Sequence, residues 1–332
     1  MRLRNRRAAL AVGAAAIAVT AVAVPIVQAN ADTAAETSVN TLTWNIEGGY
    51  NGGFGEQLDE VMKAVKDKDP DFLVVNELCS VQYDSMKERL VESGWTKAKN
   101  YARYSTMDTR KSCNNGKQDK IGFGIFSKQN LKPSQDGDET QLYADPHSPG
   151  RKHFVNCVTP EDSPDVRMCG THLVPNTGLD GEPNDSNVKQ VKDLNKTLSS
   201  YVDDGKAVVV AGDFNARPNW GRLDSVYAES VDTEANSGNT GAFRELDDDN
   251  ADHCLGYGAG TMDGGDRPEP CNQDEGVKID MIFASEANIS GDYSADVLAI
   301  PETCKGDNDD DDDDVDVCSD HHAVSGTLAF KA

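Results

Sequence analysis

Several absences narrow the reading of this 332-residue sequence before any motif is considered. It has no G-x-S-x-G elbow, no H-E-x-x-H helix and no G-x-x-x-x-G-K-[ST] loop. A serine hydrolase, a zinc protease of that type and a P-loop nucleotidase therefore each lack the residues that carry their chemistry. No two cysteines stand at C-x-x-C spacing, which removes the local zinc or redox pair. Cations are scarce: 32 Lys and Arg face 57 Asp and Glu, a net charge of −25. A protein that grips long nucleic acid usually clusters basic residues instead. Beyond residue 27 no stretch is apolar enough to span a membrane.

What is present begins with an export signal. Arg2, Arg4, Arg6 and Arg7 form a basic start, Ala8 to Val27 is apolar, and Ala29-Asn30-Ala31 fits a small-x-small cleavage site. The competing reading of this stretch is a membrane anchor. Its alanine content and cleavage pattern favour removal of residues 1–31, with the remaining 32–332 secreted as one domain with no stable membrane insertion. All eight cysteines lie in that remainder, and an even count in an exported chain reads as disulfides. Nearest-neighbour pairing is expected: Cys79 with Cys113, Cys157 with Cys169, Cys254 with Cys271 and Cys304 with Cys318.

Two segments repeat one plan. Leu58, Val61, Met62 and Val65 recur at helical spacing, Asp69-Pro70-Asp71 stops the helix, and Phe72 to Val75 reads as a buried strand ending at Asn76-Glu77. Val188, Val191, Leu194, Leu198 and Tyr201 mark a second helix face, and Asp203-Asp204-Gly205 turns the chain into the strand Ala207 to Ala211, which ends at Gly212-Asp213-Phe214-Asn215. Both strands deliver a carboxylate at the C-terminal end, where open α/β sheets bind ligands. Further strands are expected at Leu42–Ile46, Gly122–Phe126, Val166–His172, Ile279–Ala284 and Ala323–Phe330. A mixed sheet follows from the hairpins among them. Acidic and glycine-rich loops are expected near 237–276 and 304–318, the latter holding the run Asp309 to Asp314.

The polar residues at these strand ends are Asn45, Glu77, His172, Asp213, Asn215, Asp280 and the trio Ser319-Asp320-His321. Within Trp44-Asn45, Asn76-Glu77, Gly170-Thr171-His172, Gly212-Asp213-Phe214-Asn215, Lys278-Ile279-Asp280 and Ser319-Asp320-His321, the pattern resembles the endonuclease/exonuclease/phosphatase superfamily. That group includes pancreatic-type deoxyribonuclease, exonuclease III-like repair enzymes, neutral sphingomyelinases and inositol polyphosphate phosphatases. The likeness runs from about Thr41 to Phe330. It implies an α/β four-layer sandwich, two packed mixed β-sheets flanked by helices, with the site at one end. His172 is like the pancreatic-type enzymes, whereas Pro175-Asn176 is more like the repair branch.

The chemistry accounts for these residue types. A phosphodiester is an anion, so water attacks only once its charge is neutralised and the developing charge is stabilised. Glu77 and Asp320 are the expected oxygen ligands of Mg2+, with Asn45 as a helper and Mn2+ or Ca2+ as substitutes. Asp213 and Asn215 orient the attacking water or hold a second ion, and Asp213 or His321 is the base. His172 and His321 form an acid/base pair, each expected to gain proton affinity from a neighbouring carboxylate, with Asp280 the candidate. His322 points away from the site if it lies on a strand.

The expected activity is a secreted, metal-dependent phosphodiesterase acting on a phosphodiester substrate, with a nuclease leading. A sphingomyelinase-like or other small-molecule phosphoesterase is the alternative, and a non-catalytic binding protein on the same scaffold is the alternative of another class. Basic residues gather between Lys97 and Lys120, with Tyr101 and Tyr104 interleaved, as a phosphate-contacting loop or a solvated surface. The aspartate run reads as a solvated loop or a low-affinity Ca2+ site.

Overall fold

The structure, a computed structural model, describes residues 37–331 apart from 50–54, 97–99, 111–112, 114–116, 176–184, 266, 268, 273–275 and 300–318. The chain divides into Met1–Ala34 and Ala35–Ala332. The expected signal, the pair Cys304 and Cys318, and the Asp309 to Asp314 run lie outside the described residues. Among those described, no helix is long and apolar enough to cross a membrane.

In chain order the elements are β1 (Thr37–Asn45), α1 (Gly55–Lys68), β2 (Phe72–Cys79), α2 (Ser80–Glu92), β3 (Ala102–Arg110), β4 (Asp119–Ser127), β5 (Glu139–Gln141), β6 (Phe154–Val158), β7 (Val166–His172), α3 (Ser186–Asp203), β8 (Ala207–Asp213), β9 (Phe243–Glu245), β10 (Asp280–Ser285), β11 (Ser294–Leu298) and β12 (Ala323–Phe330). They form two six-stranded mixed sheets, ordered β11-β12-β1-β2-β4-β3 and β5-β6-β7-β8-β10-β9.

Three apolar clusters explain the layering. One lies between the sheets, where Val74, Phe123 and Ile125 meet Met168, Val209 and Ile282. A second packs Val191, Leu194 and Leu198 of α3 on the outer face of β8. The third packs Leu58, Val61 and Val65 of α1 and Met86 and Leu90 of α2 on the outer face of β1 and β2. The alternation of a strand, sending successive side chains to opposite faces, feeds both the central and the outer cores. Helix α3 starts where the Asp185 carboxylate accepts the Asn187 N–H at 2.8 Å. It stops at Gly205, whose φ of +75° lets the chain reverse into β8.

The topology brings the candidate residues to one end. Pairs β1/β2 and β7/β8 are parallel, each joined through a helix, so Asn45, Glu77, His172 and Asp213 all lie at or beside C-terminal strand ends. Strand β10 runs antiparallel to β8 with Asp280 opposite Asp213, and β12 runs antiparallel to β1, so Asp320 and His321 arrive from the other direction.

Two expectations need correction. The 237–276 stretch is not all loop: Phe243–Glu245 adds to the edge of β10, a three-residue strand too short to show a period. The basic stretch around Arg103 and Arg110 is largely the β3/β4 hairpin. Tyr101 and Tyr104 donate their hydroxyls to the carbonyls of Lys87 at 3.0 Å and Leu78 at 2.8 Å, so these rings brace the fold rather than interleave a phosphate-binding loop. The three expected disulfides that fall among the described residues all form, Cys79–Cys113, Cys157–Cys169 and Cys254–Cys271.

Candidate active site

Asp213 ends β8, with 1% of its surface exposed. Its Oδ2 accepts from Asn45 Nδ2 at 3.1 Å, its Oδ1 accepts the Asn215 N–H at 2.8 Å, and its own N–H donates to Asn76 Oδ1 at 3.2 Å. Asn76 also donates to the Thr171 carbonyl at 2.8 Å, so one carboxamide from β2 ties together the ends of β7 and β8. Gly212 makes this approach possible: its φ is +143°, and a β-carbon there would sit 2.0 Å from the Thr171 oxygen. Burial, reinforced by the negative charge of Asp280, pushes the Asp213 carboxyl up to about 7.

Asp280 and His321 form the second part. Asp280 Oδ2 lies 2.8 Å from His321 Nδ1 and accepts from the Thr261 hydroxyl at 2.9 Å. The imidazole is further fixed through its backbone: the His321 N–H donates to Ser319 Oγ at 3.0 Å, Ser319 Oγ donates to the Asn45 carbonyl at 2.6 Å, and Trp44 Nε1 donates to the His321 carbonyl at 2.7 Å. Burial alone would lower the affinity of this ring for a proton. The Asp280 charge and hydrogen bond, helped by Asp213 and Asp320, overcome it and raise the ring to about 10.

His172 departs from expectation. Its Nε2 is 3.5 Å from Asp213 Oδ2 and 3.9 Å from Glu77 Oε1, but its buried Nδ1 has no protein partner. Burial, with the positive charge of Arg151 behind it, holds the ring well below the usual histidine range. The expected gain in proton affinity therefore applies to His321 alone. The His153 ring meets His172 edge-on at 6.2 Å and donates from Nδ1 to the His172 carbonyl at 2.7 Å. His322 turns away, to Asp263 and the Leu298 carbonyl.

Glu77 and Asp320 flank this centre rather than joining its tightest cluster. Glu77 lies 3.8 Å from Arg151, and Asp320 lies 3.6 Å from His321 Nε2. Between them stands Glu47, which sequence reasoning missed. Burial, then the charges of Asp320 and Glu77, raise its carboxyl to about 7. The signal for it was its place two residues after Asn45, whose Oδ1 accepts the Glu47 N–H at 3.1 Å. Asn45 thus spends both ends of its carboxamide on Asp213 and Glu47. Arg151 and Thr261 were also missed, since neither lies in a periodic segment. Of the four non-glycine residues with positive φ among those described, Glu47, Glu77 and Asn215 are three. Such backbone strain costs on the order of 1–3 kcal/mol each and concentrates at functional sites.

Among the described residues, Asp213, Asp280 and His321 form the group whose ligand atoms lie within 4.8 Å of one another and could hold a metal ion. The oxygen donors here fit a divalent cation, with Asp280 Oδ1 and Asp320 Oδ1 buried and lacking any hydrogen-bond donor, whereas a His321 ring that keeps its proton has no lone pair to ligate one.

The comparisons agree with this geometry. No curated protein matches the chain by sequence. Several solved structures share its fold at low identity. A truncated TDP2 from Caenorhabditis elegans is 14% identical with a TM-score of 0.55, covering 89% of this chain and 98% of its own. The human Nocturnin catalytic domain with bound sulfate is 15% identical with a TM-score of 0.55, covering 88% and 93%. An endonuclease/exonuclease/phosphatase family protein from Bacteroides thetaiotaomicron is 15% identical with a TM-score of 0.57, covering 90% and 100%. The model of the Endonuclease/Exonuclease/phosphatase family matches residues 42–321. That span reaches from the strand bearing Asn45 to His321 itself, and the chain belongs to this family of hydrolases.

Proposed function

We propose that the protein is a secreted, divalent-metal-dependent phosphodiesterase, and specifically a nuclease. The observation that carries this reading is geometric: Asp213, Asp280 and His321 bring their carboxylate and imidazole atoms within 4.8 Å of one another. At neutral pH this gives a carboxylate able to take a proton beside an imidazolium able to donate a hydrogen bond. A bound Mg2+, or Mn2+ or Ca2+ in its place, would neutralise the phosphodiester and stabilise its developing charge.

The residues divide the work as follows. Asp213, oriented by Asn45 and by the Asn215 N–H, takes the proton of the attacking water. His321, held by Asp280 through Nδ1, presents Nε2–H toward the phosphoryl oxygens. His172 stays neutral and hydrogen-bonds rather than acting as the proton-donating acid. Glu77 and Asp320, with the buried Asp280 Oδ1, would supply the oxygen atoms that hold the ion. The three disulfides support an oxidising, extracellular setting.

The test is a substrate panel with purified 32–332: plasmid DNA, an RNA oligonucleotide, sphingomyelin and bis(p-nitrophenyl) phosphate, each with Mg2+, Mn2+ or Ca2+. Cleavage of the nucleic acids is expected. Hydrolysis of sphingomyelin alone would replace the nuclease assignment with a lipid phosphodiesterase, and no hydrolysis under any condition would favour a binding protein.

A further inference from the structure

Arg151 stands on a segment pinned on both sides. Its own N–H donates to the Ser148 carbonyl at 3.1 Å, and the next N–H, of Lys152, donates to the Met107 carbonyl of β3 at 2.8 Å. Two residues on, the buried His153 ring donates from Nδ1 to the His172 carbonyl at 2.7 Å. The guanidinium is thereby carried to the catalytic end of the sheets. Arg151 Nη2 lies 3.8 Å from Glu77 Oε1, the same oxygen that His172 Nε2 approaches at 3.9 Å, and that Nε2 is 3.5 Å from Asp213 Oδ2. Yet the cation is poorly matched where it sits. Its side chain is only 19% exposed, the Glu77 contact is too long for a hydrogen bond, and its Nε is buried with no hydrogen-bond partner. Burial opposes its charge, the Glu77 carboxylate favours it, and Arg110 at the end of β3 adds a like charge.

We propose that Arg151 binds a non-bridging oxygen of the scissile phosphoryl group, so that the substrate is gripped between this guanidinium and the ion that Glu77 helps to hold. A planar fork with unused donors matches phosphate oxygens, and its fixed backbone spares the cost of ordering it on binding. The inference rests on the phosphodiesterase reading above. The rival role is structural, a cation that only keeps Glu77 in place for the ion. The two roles predict opposite signs for metal affinity. Removing a positive charge 3.8 Å from Glu77 leaves Mg2+ binding as tight or tighter if Arg151 serves the phosphate, and weakens it if Arg151 serves Glu77.

The experiment compares purified 32–332 as wild type, Arg151→Gln and Arg151→Lys. Titration calorimetry measures Mg2+ binding, then binding of a dithymidine phosphorothioate, a diester that resists hydrolysis, to the Mg2+-saturated protein. Arg151→Gln is expected to weaken phosphorothioate binding about tenfold or more, to lower kcat/KM for bis(p-nitrophenyl) phosphate by at least as much, and to leave the Kd for Mg2+ unchanged or smaller. Arg151→Lys, which keeps the charge without the fork, should fall between the two. Weaker Mg2+ binding by Arg151→Gln, phosphorothioate affinity within about threefold of wild type, or wild-type protein that does not bind the phosphorothioate would overturn the proposal. If Arg151→Gln does not fold, Arg151→Lys is judged by the same three results. Should wild type bind the phosphorothioate but hydrolyse no diester, the phosphodiesterase reading fails while calorimetry still decides Arg151.

Discussion

Asp280→Asn removes the carboxylate 2.8 Å from His321 Nδ1 while keeping its shape and its place opposite Asp213. In the intact protein that carboxylate is the first of the groups that raise His321 to about 10 against the burial that would lower it. A return from about 10 to the ordinary 6.5 corresponds to roughly 5 kcal/mol of lost preference for the imidazolium. The variant ring should therefore be largely neutral at pH 7. Loss of a positioned proton donor of this kind costs about 10²–10⁴ in kcat. The signs also fix the pH profile. Wild-type activity should rise as Asp213 ionises through about 7 and fall as His321 deprotonates through about 10. In the variant the upper limb moves down toward neutrality, and the lower limb moves down with it because Asp213 loses the Asp280 charge that helps raise it. Steady-state kinetics on bis(p-nitrophenyl) phosphate from pH 5.5 to 10, with NMR titration of the His321 ring, provide the assay. A kcat within threefold of wild type, or a His321 titration that does not move, would refute the role of this pair.

Other outcomes follow from groups outside that pair. Burial holds His153 down to about 4 against an ordinary 6.5, so the folded state binds fewer protons than the unfolded chain between those values. Its stability contribution is complete above pH 6.5 and is lost as pH falls toward 4, on the order of 3 kcal/mol. His153→Gln should flatten melting temperature against pH across that window, and an unchanged profile would count against the buried, neutral ring. Lys278 is wholly buried between Glu245 at 3.0 Å and Asp247 at 3.3 Å. Lys278→Ala removes the ammonium shared by the buried Glu245 and Asp247, leaving Asp247 with His253 at 2.7 Å, and should cost about 3–5 kcal/mol in denaturant unfolding. A loss under 1 kcal/mol would show that water reaches this cluster.

The sheet ends were legible in the sequence because buried β-branched runs such as Val208-Val209-Val210 stop abruptly at polar residues. That break in pattern survives any tertiary detail. Helices α1 and α3 announced themselves through apolar spacing, whereas α2 did not: only Gln82, Met86 and Leu90 of it are buried, and its polar residues offer no wide stripe. Edge strands β5, β9 and β11 were missed because three to five residues with mostly exposed or mixed faces carry no readable period. At the site, sequence position named Asp280 as a partner for a histidine but could not say which ring it would meet. That choice depends on β10 lying beside β8 and on His321 folding back before β12. The opposite environments of His172 and His321 follow from the same three-dimensional fact. Lys278 shows the converse: a residue within a quoted motif whose place in the structure is a buried ion cluster.

The central claim is that Asp213 and His321 run a metal-dependent cleavage of phosphodiesters. Its most direct test is the rate of bis(p-nitrophenyl) phosphate hydrolysis at pH 8 by wild type, Asp213→Asn and His321→Ala, each with Mg2+ and again with excess chelator, with circular dichroism confirming the fold. Turnover by wild type with Mg2+, its loss on chelation, and its loss in both folded variants are the predicted results. Folded Asp213→Asn or His321→Ala turning over at the wild-type rate, or wild-type hydrolysis indifferent to chelator, would contradict the account.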